Sequence, residues 1–114
     1  MELSIQFALD IIEFTELLES NKKYVIANQL LKAGTSIGAN VREAQNAESK
    51  SDFIHKIKIA AKEASETEYW LILCKLSKNY PFNESLTNKI DHINRILTKI
   101  ITSSKKTLIK VLSK

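Results

Sequence analysis

Ile26-Ala27-Asn28-Gln29-Leu30-Leu31-Lys32-Ala33-Gly34-Thr35-Ser36-Ile37-Gly38-Ala39-Asn40-Val41-Arg42-Glu43-Ala44 is the stretch whose pattern decides the fold. Its residues Ile26, Leu30, Ala33, Gly34, Ile37, Val41 and Ala44 recur at steps of three and four, which lines one face of an α-helix. That helix is predicted to run from about 22 to 47. Upstream, Ile5, Ala8, Ile11, Ile12, Thr15 and Leu18 repeat the spacing and predict a helix over about 3–19, with Ser20-Asn21 as its stop and a possible cap for the next. Downstream, the polar run Asn46-Ala47-Glu48-Ser49-Lys50-Ser51 breaks the pattern. Ser49 with Asp52, or Ser51 alone, can accept hydrogen bonds from the first amides of a third helix, over about 51–78. Asn79-Tyr80-Pro81 ends it, because proline disfavours the helical conformation of the preceding residue. Asn83 then caps a fourth helix over about 84–112, whose core face reads Leu86, Ile90, Ile93, Leu97, Ile100, Leu108 and Val111.

Composition points the same way. The chain has 114 residues, 44% of them hydrophobic, with two glycines and one proline. That size suits one domain with one core, and so few turn residues make several short strands implausible. The expected fold is all-α, a single antiparallel up-down-up-down four-helix bundle. The one cysteine, Cys74, sits among Leu71, Ile72 and Leu73, so neither a disulfide framework nor a multi-cysteine metal site can be built, and a buried structural thiol is expected. Met1-Glu2-Leu3-Ser4 does not open a basic-then-apolar leader, and no apolar run approaches the roughly 20 residues of a membrane span. A cytoplasmic protein without a membrane partner is expected.

Charge is unevenly placed. The net charge is +4, yet residues 2–19 carry five acids and no base, while residues 85–114 carry seven bases against Asp91. This complementarity allows either helix-to-helix attraction within the fold or a basic surface for an anionic polymer. On the fourth helix His92, Arg95, Lys99, Ser103, Lys106 and Lys110 fall in one sector, predicted beside the core stripe, as a ridge roughly 27 Å long. An ordinary solvated face is one reading. The near absence of acids there favours the other, phosphate-backbone binding through Arg95, Lys99, Lys106 and Lys110. No aromatic stacking platform accompanies the ridge, so any binding of RNA or DNA should be weakly sequence-selective.

The third helix carries apolar residues on two sides: Phe53, Ile57, Ala60, Ala61, Ala64, Leu71 and Ile72 on one, Ile59, Trp70 and Leu73 on the other. One side serves the core. The second marks an oligomer interface, or a wide core stripe in a small bundle. Gly34 and Gly38 sit inside the second helix, where each costs roughly 1 kcal/mol relative to alanine. Close packing by another helix, or by Trp70 or Tyr69, would offset that. Neither a strand nor a Lys-Ser/Thr pair accompanies them, as a phosphate loop would require.

Catalytic patterns are missing from the sequence. A di-iron bundle needs two Glu-x-x-His units, and only Asp52-x-x-His55 resembles one. Glu13, Glu16 and Glu19 drift around their helix instead of clustering for magnesium. His55 and His92 lack a serine, cysteine or acid pair at a recognisable spacing. No metal and no cofactor are expected. The polar flank Gln29, Ser36, Asn40 and Glu43, with Glu63, Glu66 and Glu68 opposite, is expected to form a satisfied interhelical network with Lys62 or Arg42.

Residues Gln29 to Ala44, then Ser51-Asp52-Phe53, Ile59-Ala60 and Glu66-Thr67-Glu68-Tyr69-Trp70-Leu71, resemble the four-helix-bundle protein family also called the 23S ribosomal RNA intervening-sequence proteins. The Ser-Ile-Gly-Ala-Asn core and the downstream Glu-x-Glu carry the likeness, which covers roughly residues 5–112. Ala44 stands where many relatives have glycine, and Glu63-Ala64 where many have Gly-Ser. The resemblance implies a homo-oligomeric bundle, often a pentameric ring, with no established enzymatic activity. It also implies a kinship with accessory proteins of diversity-generating retroelements, in which a basic pentamer binds reverse transcriptase and nucleic acid. The family's motif residues fall on Ser36, Asn40, Glu43, Glu66 and Glu68, carried over as structural polar contacts. The expected function is thus a non-enzymatic homo-oligomeric scaffold that contacts RNA or a nucleic-acid-handling partner. The alternatives are a purely structural homo-oligomer and an accessory subunit of a reverse transcriptase.

Overall fold

The structure is a computed structural model that describes residues 2–103. It contains four helices, α1 (Leu3–Ser20), α2 (Tyr24–Gln45), α3 (Lys50–Leu76) and α4 (Glu84–Ser103). Among the described residues there is no strand, and the helices pack as a bundle. Residues 104–112, predicted to complete the fourth helix with Leu108 and Val111, lie outside the described residues.

The connections follow local chemistry. Ser20 Oγ and Asn21 Nδ2 both donate to the Leu17 carbonyl, at 2.8 and 2.9 Å, so this pair closes α1. It does not cap α2, as the sequence suggested it could, because Lys22 first takes a left-handed φ of 64° and Lys23 precedes the helix without a side-chain cap. The Lys23 amide returns to the Leu18 carbonyl at 2.8 Å, satisfying one of the carbonyls a helix end leaves open. Ser49 Oγ accepts from the Asp52 amide at 3.0 Å and starts α3, with the Asp52 carboxylate in the first turn, where the helix dipole favours it. α3 stops at Leu76, two residues earlier than predicted, because Ser77 is already extended and Asn79 takes φ 66° ahead of Pro81. Asn83 Oδ1 accepts from the Leu86 amide at 3.2 Å and caps α4.

Consecutive helices pack along their length, α1 on α2, α2 on α3 and α3 on α4. α1 and α4 close the circle along a thinner seam, where Lys89 Nζ donates to Asp10 Oδ2. The core takes α2 residues Leu30, Ala33, Ile37, Val41 and Ala44 and α4 residues Leu86, Ile90, Ile93, Leu97 and Ile100 as predicted. Burying each of these large aliphatic side chains contributes roughly 1.5–3 kcal/mol.

On α1 the buried face is rotated from the expected one. Ser4, Phe7, Ile11, Phe14, Thr15 and Leu18 are buried, Ile5 and Ala8 are half-buried, and Ile12 is exposed. The reason is area. Phe7 and Phe14 stand two turns apart on the face shared with Ile11 and Leu18, and two rings remove more apolar surface from water than Ile5, Ala8 and Ile12 would. α3 differs similarly. Thr67 and Cys74 are buried, whereas Ala61 is half-buried and Ile72 is exposed. Thr67 tolerates the core because its hydroxyl donates to the Glu63 carbonyl at 2.8 Å.

Candidate functional site

The two described members of the basic ridge, Arg95 and Lys99, are exposed. They lie on the outward side of α4, across the helix from the buried Ile90–Ile93–Leu97 stripe and not beside it. Arg95 Nη2 pairs with Asp91 Oδ2 at 2.9 Å, one turn away on the same exposed face. Such surface pairs are worth about 0.3–0.5 kcal/mol, so the guanidinium can exchange its partner at little cost. Lys106 and Lys110 lie outside the described residues.

The polar motif satisfies itself locally. Ser36 Oγ donates to the Lys32 carbonyl at 2.6 Å, and Asn40 Nδ2 donates to the Ser36 carbonyl at 2.9 Å. Both half-buried side chains thus return to their own helix, leaving few polar valences for a ligand. Glu43 faces Lys56 of α3 at 3.9 Å, and Arg42 turns the other way to Glu2 of α1 at 2.9 Å. The interhelical link therefore runs through Lys56, in place of Lys62 or Arg42, because Lys56 emerges at the α2–α3 edge while Lys62 is exposed. Glu66 is exposed and Glu68 half-buried.

Gly34 and Gly38 serve close packing, but against α1. A Cβ on Gly34 would lie 2.9 Å from both Cγ1 and Cγ2 of Ile11. One on Gly38 would meet Ser4 Cβ at 3.4 Å, an ordinary contact. Trp70 and Tyr69 do not fill this space. They stack edge to face with each other at 5.2 Å on α3.

Ile59, Trp70 and Leu73 are half-buried along one edge of α3, with Trp70 packed on the core. Trp70 Nε1 is buried without an acceptor among the described residues. Fully exposed apolar side chains lie elsewhere. Tyr69, Ile72 and Leu76 on α3 are 54%, 43% and 74% accessible, and Leu9, Ile12 and Leu17 on α1 are 40–48% accessible. The α1 group was missed in the sequence because Ile12 was assigned to the core and Leu9 to neither face. Its signal was present, since Leu9 and Ile12 are three apart.

Between α1 and the start of α4 an open groove of about 400 Å³ is lined by Asp10, Glu13, Phe14, Leu17, Asn83, Ser85, Leu86 and Lys89. Its central charges, Asp10 and Lys89, already neutralise each other. Among the described residues no cluster of three or more His, Cys, Asp or Glu side chains could hold a metal ion, and no helix is long and apolar enough to cross a membrane. Cys74 is buried, and burial pushes its thiol pKa up, which keeps it protonated at neutral pH. A maleimide should therefore label native protein far more slowly than protein in denaturant, a difference read directly by mass spectrometry.

An all-helical bundle with charged and apolar outer faces, its polar motif bonded internally, defines a four-helix-bundle protein whose surfaces are its most distinctive chemistry. The model of the 23S rRNA-intervening sequence protein family matches residues 1–99, and the chain belongs to that family. A crystal structure from Bacteroides thetaiotaomicron, a protein of unknown function from the S23 ribosomal protein family, is similar with a TM-score of 0.80 and 44% identity, over 87% of this chain and 94% of that one. No curated protein matches the chain.

Proposed function

We propose that this chain is a non-enzymatic cytoplasmic scaffold that assembles into a homo-oligomer, a ring of five subunits, and contacts RNA through the outward basic face of α4. The observation that carries assembly is the presence of two separate groups of exposed large apolar residues, Leu9, Ile12 and Leu17 on α1 and Tyr69, Ile72 and Leu76 on α3. Scattered single apolar residues on a surface need no partner, but helical groups of three do. The half-buried edge of Ile59, Trp70 and Leu73 flanks the α3 group and would be covered with it. The family description, which refers to the intervening sequences of 23S rRNA, supports an RNA context. The exposed cations Arg95 and Lys99 supply the chemistry, repeated in every subunit.

Light scattering on the purified chain at micromolar concentration is expected to give a multimer. Ile72→Glu with Leu76→Glu should lower its mass while leaving helical circular dichroism unchanged, because both side chains already face water in the single subunit. Trp70→Glu should also unfold the subunit, since a charge would then be placed against the core. A wild-type monomer under these conditions would remove the assembly reading.

A further inference from the structure

The outward face of α1 combines two properties. Leu9, Ile12 and Leu17 expose large apolar side chains, and Glu13, Glu16 and Glu19 between and after them are exposed carboxylates. These three carboxylates form no ion pair among the described residues, whose salt bridges use Glu2, Asp10, Glu43 and Asp91. An occupant of this face therefore needs apolar side chains interleaved with positive charge. Residues 104–114 have that composition: Lys105, Lys106, Lys110 and Lys114 accompany Leu108, Ile109, Val111 and Leu112, with no acid. They also lie beyond residue 99, where the family match ends.

We infer that residues 104–114 of one copy lie along this acidic, apolar face of α1 in a neighbouring copy. The inference rests on the reading that the chain self-assembles, and it names one of the contacts that assembly uses. Reach decides between the same chain and a neighbour. The Lys89–Asp10 bridge sets α4 and α1 at a common height, and α4 then descends for another 14 residues to Ser103, about 21 Å at 1.5 Å per residue. Antiparallel α1 descends only about 10 Å from Asp10 to Leu3, so the chain leaves α4 beyond the foot of α1. Returning to the level of Glu16 covers roughly 30 Å, and to that of Glu19 roughly 35 Å. Lys110, seven residues past Ser103, spans at most about 25 Å fully extended. Its own chain's Glu16 and Glu19 are thus poorly placed, and those of a second copy are not so constrained. Symmetry agrees. An odd-numbered ring requires a contact between two different patches, donor on one subunit and acceptor on the next. A basic segment and an acidic helix face are such a pair.

A charge-swap series in the full-length chain tests this. One variant carries Glu13→Lys, Glu16→Lys and Glu19→Lys; a second carries Lys105→Glu, Lys106→Glu and Lys110→Glu; a third combines all six. Sedimentation should show each single set raising the dissociation concentration of the assembly by roughly tenfold or more, since like charges then face each other. The combined variant should return to the wild-type value, which a merely structural role for either set would not produce. Melting curves of the dissociated subunits should coincide. An assembled wild type whose mass neither set disturbs, or a combined variant no better than its parents, overturns this contact and leaves self-assembly standing. Changes confined to subunit melting temperature place the segment on its own chain and also overturn it. A monomeric wild type removes both readings together.

Discussion

Gly34→Ala lowers the melting temperature, and Gly34→Leu leaves little folded protein, whereas Gly38→Ala is neutral or stabilising. The two glycines are four residues apart on one helix, so intrinsic helix propensity predicts the same gain of about 1 kcal/mol for alanine at either position. Packing separates them. At Gly34 the added methyl would sit 2.9 Å from two carbons of Ile11, a side chain that is 0% exposed and cannot move outward. Ile11 is also β-branched, with one strongly preferred χ1 in a helix, so it cannot rotate away without strain. Overpacking of this kind costs about 1–3 kcal/mol and outweighs the propensity gain. For a domain near this size a net loss of about 1 kcal/mol lowers the melting temperature by roughly 4–8 °C. At Gly38 the nearest atom, Ser4 Cβ, is 3.4 Å away, so the methyl fits and the propensity gain remains. Circular dichroism melts of the three variants decide the matter. Adding Ile11→Ala to Gly34→Ala gives a coupling check: it costs less than the two changes summed, because the smaller side chain vacates the volume the methyl needs. A Gly34→Ala melting point above wild type would show that α1 and α2 stand farther apart than the 2.9 Å contact implies.

The same helices show what the sequence reveals and what it withholds. On α2 and α4 the apolar residues form one stripe with polar residues around it, so the core face can be picked out by spacing alone. α1 is apolar on two sides. Ile5, Ala8 and Ile12 make a stripe as regular as Phe7, Ile11, Phe14 and Leu18, and periodicity cannot rank them; ring area does. α3 has the same ambiguity at Ile72, which spacing assigns to the core and the fold leaves 43% exposed. Charge asymmetry signalled attraction between the chain's two ends, and one bridge, Lys89 to Asp10, realises it. The pairing itself depends on the relative height of two helices 79 residues apart, which no local pattern encodes. For the polar motif, Ser36 and Asn40 were legible as residues needing partners. Their choice of backbone carbonyls one turn back on their own helix is a rotamer decision that composition does not record.

Binding of the assembled protein to RNA should be strong at low salt, insensitive to sequence and steeply weakened by added salt. The exposed Arg95 and Lys99 offer charge without an aromatic platform or a base-reading fork, so they can hold phosphates but carry no base information. An assembly that places about 6–10 such cations against a nucleic acid loses roughly 10³–10⁵ in affinity between about 50 and 200 mM salt through counterion release. Arg95→Gln with Lys99→Gln should reduce both the affinity and the salt slope, the slope by roughly 0.7 to 0.9 for each phosphate contact removed. Asp91→Asn should act in the opposite direction. The Asp91 carboxylate holds the Arg95 guanidinium at 2.9 Å and repels phosphate, so its neutralisation releases a cation and deletes a competing anion. Two variants of opposite sign on one exposed face exclude a general loss of folding as the cause, and light scattering of each should return the wild-type mass. Lys106→Gln with Lys110→Gln extends the series beyond Ser103. If those lysines lie against α1 of a neighbour, that variant weakens assembly as well as binding, whereas the Arg95 and Lys99 pair weakens binding alone. Filter binding of two unrelated RNA sequences at two salt concentrations reads all of these outcomes. Failure of the wild-type assembly to retain either RNA at low salt would leave α4 with a solvated basic face and the protein with self-assembly as its remaining proposed activity.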